Sequence, residues 1–212
     1  TFMKPSQVTK AFAAAKSRGL NIFPIFQNRY NSAVQRVKNS LLNEELGSAH
    51  IFSVRVRWCR PQRYYDLAPW RGTFSQDGGA LSNQGIHHVD LLRYLGGEVE
   101  EVTSILRTFG ANIEVEDTAV ASLKFKNGAI GTLEITTAAR PDDFEASISI
   151  VGSKGLAQIG GKAVNALEIF TPSPDDCAKF SEDFTGSVYG NGHKYLYQSI
   201  SDYYHRGIPY LI

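Results

Sequence analysis

Hydrophobic and polar positions follow a helical period at the start of the chain and a strand period later on. Val8, Phe12 and Ala15 fall at helical spacing in an Ala-rich run from Gln7 to Arg18, closed by Gly19. Asn21 to Phe26 (NIFPIF) reads as a short apolar strand, with Pro24 arguing against a central place in a sheet. A helix leading into a buried strand is the end of an α/β repeat, yet no glycine-rich phosphate loop occurs in the chain. From Ser32, the residues Ala33, Val37, Leu41 and Leu42 make a second helical stripe that ends near Gly47. His50 to Trp58 (HIFSVRVRW) then alternates, with Phe52, Val54, Val56 and Trp58 on one face and Ile51, Ser53, Arg55 and Arg57 on the other. After a loop rich in Arg, Tyr and Trp from Arg60 to Gln76, a helix is predicted from about Ser82 to Leu95, stopped by Gly96-Gly97.

The second half reads as strands. Ala119, Ala121, Leu123 and Phe125 alternate with Val120, Ser122 and Lys124, and Asn127-Gly128 predicts a two-residue hairpin with positive φ at both positions. Ala129 to Thr137 returns, Phe144 to Ile150 alternates again, and Ser153-Lys154-Gly155 turns into Leu156 to Ile159, with Leu167 to Phe170 as a further edge. Pro172 to Thr185 is polar and reads as a loop, and His193 to His205 as a last helix. Consecutive strands joined by tight turns give an α+β fold: an open, mainly antiparallel sheet with helices on one face. The other face carries Ser122, Thr132, Thr136, Ser147 and Ser149, small uncharged residues that suit contact with another subunit better than open water.

Composition narrows the function classes. The chain has 212 residues, with 22 Lys+Arg against 21 Asp+Glu, a formal net charge of +1. That balance lacks the concentrated positive field of a nucleic-acid or anionic-membrane binder. Hydrophobic residues at 42% and charged residues at 20% are globular usage. No apolar run approaches the roughly 18 residues of a membrane span, and no secretory pattern opens the chain. Two cysteines, Cys59 and Cys177, lie far apart without CxxC spacing, which argues against a disulfide framework or a thiolate zinc site. The expectation is a cytoplasmic folded protein.

The chemistry concentrates in SNQGIHHVDLLRYLGG. On one continuous helix, His88, Leu91, Leu92 and Leu95 form an apolar stripe, which makes His88 a satisfied core histidine. Asn83, His87, Asp90 and Tyr94 form a polar stripe that is either cleft-facing, with His87 poised for proton transfer, or a solvated helix face. A metal site of His87, Asp90 and His193 is a weaker alternative with no third ligand fixed by spacing. Arg55, Arg57, Arg60, Arg63 and Arg71, interleaved with Trp58, Tyr64, Tyr65 and Trp70, suit a small anionic ligand. The competing reading pairs these arginines with Glu44, Glu45 and Asp66 on a half-exposed surface, most strongly for Arg55 and Arg57.

Four blocks then point to a family. FQNRYNSAVQR, ELGSAHIFSVRVRWCRPQ, WRGTFSQDGGALSNQGIHHVDLLRYLGG and GSKGLAQIGG, in this order and spacing, resemble the C-terminal region of the Gfo/Idh/MocA oxidoreductases from about Ala11 onward. QNRYN, RWCRPQ, NQGIHHVDL and VYGNGH look most like the branch that oxidises the 3-hydroxyl of UDP-N-acetylglucosaminuronate-like nucleotide sugars. The resemblance implies that residues 1–26 are the last helix and strand of an N-terminal Rossmann domain, and 27–212 a substrate-binding and oligomerisation domain. It implies NAD or NADP as cofactor, held mainly by that other domain, with no cofactor-binding residue and no metal ligand in this stretch. The chain alone is expected to be inactive, and the assembly a homodimer or homotetramer through the open sheet face.

Met3-Lys4-Pro5 looks similar to the family's Glu-Lys-Pro motif but lies too close to Gly19, so Lys4 belongs to the start of the following helix and is not assigned as the catalytic lysine. By resemblance His87 takes the hydroxyl proton, and Asn83 stands where many relatives have Asp and cannot take a proton. Gln27, Asn28, Arg29, Tyr30 and Gln84 are implied at the sugar, with Arg60 and Arg71 at the diphosphate or the uronate carboxylate. The alternatives are a neutral polyol or inositol as substrate, or a non-catalytic sugar-binding module.

Overall fold

In the computed structural model of the chain, the described residues are 4–161, 163–184 and 190–210. Seven strands form one sheet: β1 (Ala49–Arg57), β2 (Val99–Arg107), β3 (Thr118–Phe125), β4 (Ile130–Thr136), β5 (Glu145–Gly152), β6 (Leu156–Gly160) and β7 (Ala166–Phe170). Their order across the sheet is β2-β3-β4-β1-β5-β6-β7. Only the central β1/β4 pairing is parallel, and every other neighbouring pair is antiparallel.

The alternation read from the sequence decides which face is covered. Phe52, Val54 and Val56 of β1, Ile135 of β4, and Ile148 and Ile150 of β5 are buried against Val34 and Val37 of helix α2 (Ser32–Leu42) and Leu91, Leu92 and Leu95 of helix α5 (Ile86–Gly96). Each such side chain contributes about 1.5–3 kcal/mol when withdrawn from water. Phe125 lies in a slot between Gly96 and Gly131, where an added Cβ would come within 2.7 and 2.9 Å of its ring. On the open face, registered pairing aligns Ser122, Thr132, Ser53, Ser149 and Gln158 in one row, and Ile130, Ile51, Val151 and Leu156 in another. Ser147 lies in the next row beyond Ser149, opposite Arg55; it is buried, and its hydroxyl donates to Glu145 at 2.5 Å.

Several expectations need correction. Asn21 to Phe26 is not a strand: no β partner lies beside it among the described residues, and Pro24 lacks the N–H a ladder would need. The segment is held instead by helix α7 (Gly192–Arg206), with Phe23 edge-on to Tyr203 at 5.4 Å and Tyr210 donating to the Pro24 carbonyl at 2.7 Å. Helix α1 (Pro5–Lys16) does begin directly after Lys4, as expected, while Met3 lies outside the described residues. β2 went unread because it is an edge strand paired only with β3, exposed along almost its whole length, so no alternation marks it. The Asn127-Gly128 hairpin is a three-residue loop, closed by Phe125 N donating to Ala129 O at 2.9 Å, with positive φ at Gly128 alone. The polar stretch after Pro172 contains a short helix, α6 (Asp176–Phe180), and part of the VYGNGH block and Thr185 lie outside the described residues. Among the described residues no helix is long and apolar enough to cross a membrane.

A candidate active-site cleft at the end of the sheet

Beyond the carboxyl end of β1 a cleft of about 1030 Å³ opens. Its wall is built by Gln27 and Asn28 of a 3-10 turn (Gln27–Tyr30), by Trp58 to Pro61 and Arg63, by Asn83, Gln84, His87 and His88, and by the Pro141 to Ser147 segment leading into β5. That volume is the size of a substituted sugar or a larger ligand.

The helix expected from about Ser82 to Leu95 is broken in two, and the break shapes the site. A short helix, α4 (Gly79–Ser82), ends at Asn83, and α5 begins only at Ile86. Two glycines make this turn feasible. Gly79, at φ +90°, lies so close to the Glu116 carboxylate that a Cβ would meet it at 2.1 Å, and at Gly85 a Cβ would come within 2.3 Å of Ile135 Cδ1. Glu116 holds the other side of the turn, accepting from Ala80 N at 2.9 Å through its carbonyl and from Leu81 N at 3.1 Å through its carboxylate. Asn83 therefore does not sit one helical turn before His87, and its amide nitrogen donates to Asp77 instead.

His87 stands at the mouth of α5. His87 lines the cleft, its Nδ1 is buried without a hydrogen-bond partner, and the Phe26 ring packs edge-on 6.1 Å away. Burial pushes its pKa below the usual 6.5, the Asp90 carboxylate opposes that shift and His193 adds to it. The imidazole is therefore neutral near pH 7. His88 takes the buried side of α5, as the apolar stripe required, but it is not satisfied: both ring nitrogens lack partners. Burial, and to a smaller degree the neighbouring His87, lowers its pKa to about 3, and it packs edge-on to Trp58 at 5.5 Å.

The polar stripe resolves into neither of the expected readings. Arg29 grips Asp90 with two hydrogen bonds of 2.8 and 2.5 Å and stacks over Tyr94 at 4.9 Å. Asp90 and Tyr94 thus face the Gln27–Tyr30 turn, and of the stripe Asn83 and His87 line the cleft. This corrects Arg29, which is paired with Asp90 and does not line the cleft, and Tyr30, which lies near Ser199 of α7. It also removes Asp90 from the alternative metal site. Among the described residues no three His, Cys, Asp or Glu side chains are grouped to hold a metal ion.

Arg60 is in place and preorganised. Its Nε donates to Gln84 Oε1 at 3.1 Å and its Nη1 to the Cys59 carbonyl at 2.8 Å and Asp143 at 2.9 Å, so Nη2 is the nitrogen without a protein partner. Gln84 is fixed in turn by donating to Tyr64 Oη at 2.8 Å. Arg71 is corrected: it stacks between Tyr64, at 4.2 Å, and Trp70, at 4.6 Å, donates to the Tyr64 hydroxyl, and lies behind the cleft wall. Arg63 lines the cleft instead, exposed, with no ion pair to a carboxylate among the described residues. Its spacing of three residues from Arg60 was the signal that could have singled it out. Arg55 and Arg57 pair with Glu145, and Arg57 also with Glu134, across the strand register and not with Glu44, Glu45 or Asp66. The described residues contain no strand, glycine-rich loop and helix in succession of the kind that cradles a dinucleotide.

Comparison with known proteins places the fold. A family model described as the GFO/IDH/MocA C-terminal domain matches residues 34–158. The chain belongs to the GFO/IDH/MocA family. Its structure superposes on the WlbA dehydrogenase of Bordetella pertussis, solved in complex with NADH and UDP-GlcNAcA, with a TM-score of 0.87 and 38% identity over 94% of this chain and 59% of that one. The WlbA dehydrogenase of Chromobacterium violaceum, solved with the same two ligands, gives a TM-score of 0.82 and 34% identity over 94% of this chain and 57% of that one. Among curated relatives, the myo-inositol 2-dehydrogenase of Thermotoga maritima is 29% identical over 156 residues, 71% of this chain and 44% of that protein. The chain spans about half the length of the curated relatives it matches, for example 48% of an uncharacterised oxidoreductase, YrbE, of Bacillus subtilis.

Proposed function

We propose that this chain is the substrate-binding part of a UDP-N-acetyl-2-amino-2-deoxyglucuronate dehydrogenase, oxidising the sugar 3-hydroxyl with NAD held by a further domain. The observation that carries the reading is the joint one of cleft and likeness. The neighbours solved with NADH and UDP-GlcNAcA share more than a third of their aligned residues with this chain over nearly its whole length. In this chain the cleft offers a neutral imidazole, two arginines and the side-chain amides of Gln27, Asn28, Asn83 and Gln84.

Oxidation of a carbinol needs a group to receive the hydroxyl proton as the hydride departs to an acceptor supplied from outside this chain. His87 is the residue placed to take that proton. Gln27, Asn28, Asn83 and Gln84 supply amides for sugar hydroxyls and the acetamido group. Arg60 Nη2 and Arg63 supply donors for the diphosphate or the uronate carboxylate, and the fixed posture of Arg60 lowers the ordering cost of binding. Residues 1–26 are read as the tail of the cofactor domain, and the open sheet face as the subunit interface.

The test uses the protein carrying both this chain and an NAD-binding domain. NAD-dependent oxidation of UDP-GlcNAcA is expected, and His87→Asn is expected to lower kcat by about 10²–10⁴-fold, the size of a general-base contribution. Truncating Arg60 and Arg63 together is expected to raise KM for the nucleotide sugar and to leave myo-inositol unaffected. A near-parental rate for His87→Asn removes His87 from the chemistry, and turnover of myo-inositol in preference to the nucleotide sugar rejects the substrate.

A further inference from the structure

We infer that Asp77 is a positioning residue that fixes the amide of Asn83 in one orientation, so that the cleft meets a hydrogen-bond acceptor at this position and not a donor. This rests on reading the cleft as the dehydrogenase substrate site.

Asp77 is buried and lies behind the cleft wall: it lines a small cavity that Asn83 shares, but not the cleft itself. One carboxylate oxygen accepts from Gly72 N at 2.6 Å, and the other accepts from Asn83 Nδ2. An ionised carboxylate only accepts, so Asn83 must turn its NH₂ group toward Asp77. Its carbonyl oxygen, to which no donor among the described residues is directed, is then the polar atom left to the cleft that Asn83 lines. There it can accept a hydrogen bond from a ligand hydroxyl but cannot take that proton, which leaves proton transfer to His87. A carboxamide free to rotate would present donor and acceptor with similar ease. The buried aspartate removes that ambiguity, and with it the affinity for a ligand that offers an acceptor at this point.

The geometry makes the idea separable from a purely structural role. In Asp77→Asn, the introduced carbonyl serves Gly72 N, so the introduced NH₂ faces Asn83 and forces the Asn83 amide to flip, turning a donor toward the cleft. In the double variant Asp77→Asn/Asn83→Asp, the introduced NH₂ donates to the introduced carboxylate, whose second oxygen restores an acceptor in the cleft.

In the protein with its NAD-binding domain and UDP-GlcNAcA as substrate, Asp77→Asn is expected to lower kcat/KM by about 10- to 100-fold, the effect of one mismatched buried hydrogen bond. The double variant is expected to regain about tenfold or more of that loss. Parental activity in Asp77→Asn overturns the inference, and so does a double variant no better than Asp77→Asn. If the parent oxidises no nucleotide sugar, the reading of the substrate fails, and side-chain amide NMR still decides this inference. Slow hydrogen exchange of the Asn83 NH₂ in the parent, becoming fast in Asp77→Asn, supports it; fast exchange in both overturns it.

Discussion

The two adjacent histidines of α5 occupy opposite environments one residue apart, and at the scale of single residues this governs their chemistry. His87 lines the cleft. His88 has both nitrogens buried without partners, an arrangement that costs about 1–3 kcal/mol for each unsatisfied group. Its folded pKa of about 3 lies below the unfolded 6.5. The unfolded chain therefore binds the extra proton first, and stability present above pH 6.5 is lost as pH falls toward 3, at about 1.4 kcal/mol per pH unit at most. Urea unfolding at pH 7 and pH 5 measures this: the parent is expected to lose about 1–2 kcal/mol more between the two than His88→Leu does. Equal losses would show that His88 is not held neutral.

The 3-10 turn, α5 and α7 are joined by contacts between elements far apart in the chain, and these set the angle at which His87 enters the cleft. The Arg29–Asp90 pair, with side chains 11% and 9% exposed, pins the Gln27–Tyr30 turn to the middle of α5. α7 approaches so closely that a Cβ on Gly192 would stand 2.2 Å from the Gln27 carbonyl oxygen. Asp90→Ala strands a guanidinium in a nearly closed site and is expected to cost about 3 kcal/mol in denaturant unfolding, much of which Arg29→Leu/Asp90→Leu should recover. If the single variant costs under about 0.5 kcal/mol, the pair is an ordinary surface contact.

For the whole molecule, the sheet leaves one face without helices. On it Ile130, Val120 and Ile105 are 56%, 50% and 65% exposed, in the rows that flank the row of Ser and Thr side chains. The cleft reaches round to this face at Gln158 and Glu168. Burial against a second copy is the expected fate of such a surface. Sedimentation should find a dimer or tetramer, and Val120→Asp/Ile130→Asp should shift it to monomer. A monomeric parent at micromolar concentration would end the interface reading.

Periodicity along the chain determined a great deal on its own. It identified the buried face of β1, the stripe that sends His88 inward and His87 elsewhere, the first helix to within two residues of its start, and the sheet of mainly antiparallel strands. Four sequence blocks placed the family. Each of these depends on neighbours within a few residues or on local backbone preference. Tertiary structure decided the rest, because a charged or amide side chain can choose among partners that only the fold brings within 3 Å. Asp90 met Arg29, 61 residues away, and Glu116 met the turn that splits the predicted helix in two. Asn83 turned back to Asp77 in place of His87. Arg71 was drawn behind Tyr64, and Arg63 was left facing the cleft. Hydrophobic spacing specifies which way a side chain points along its own element; which polar group waits there depends on the packing of the whole sheet.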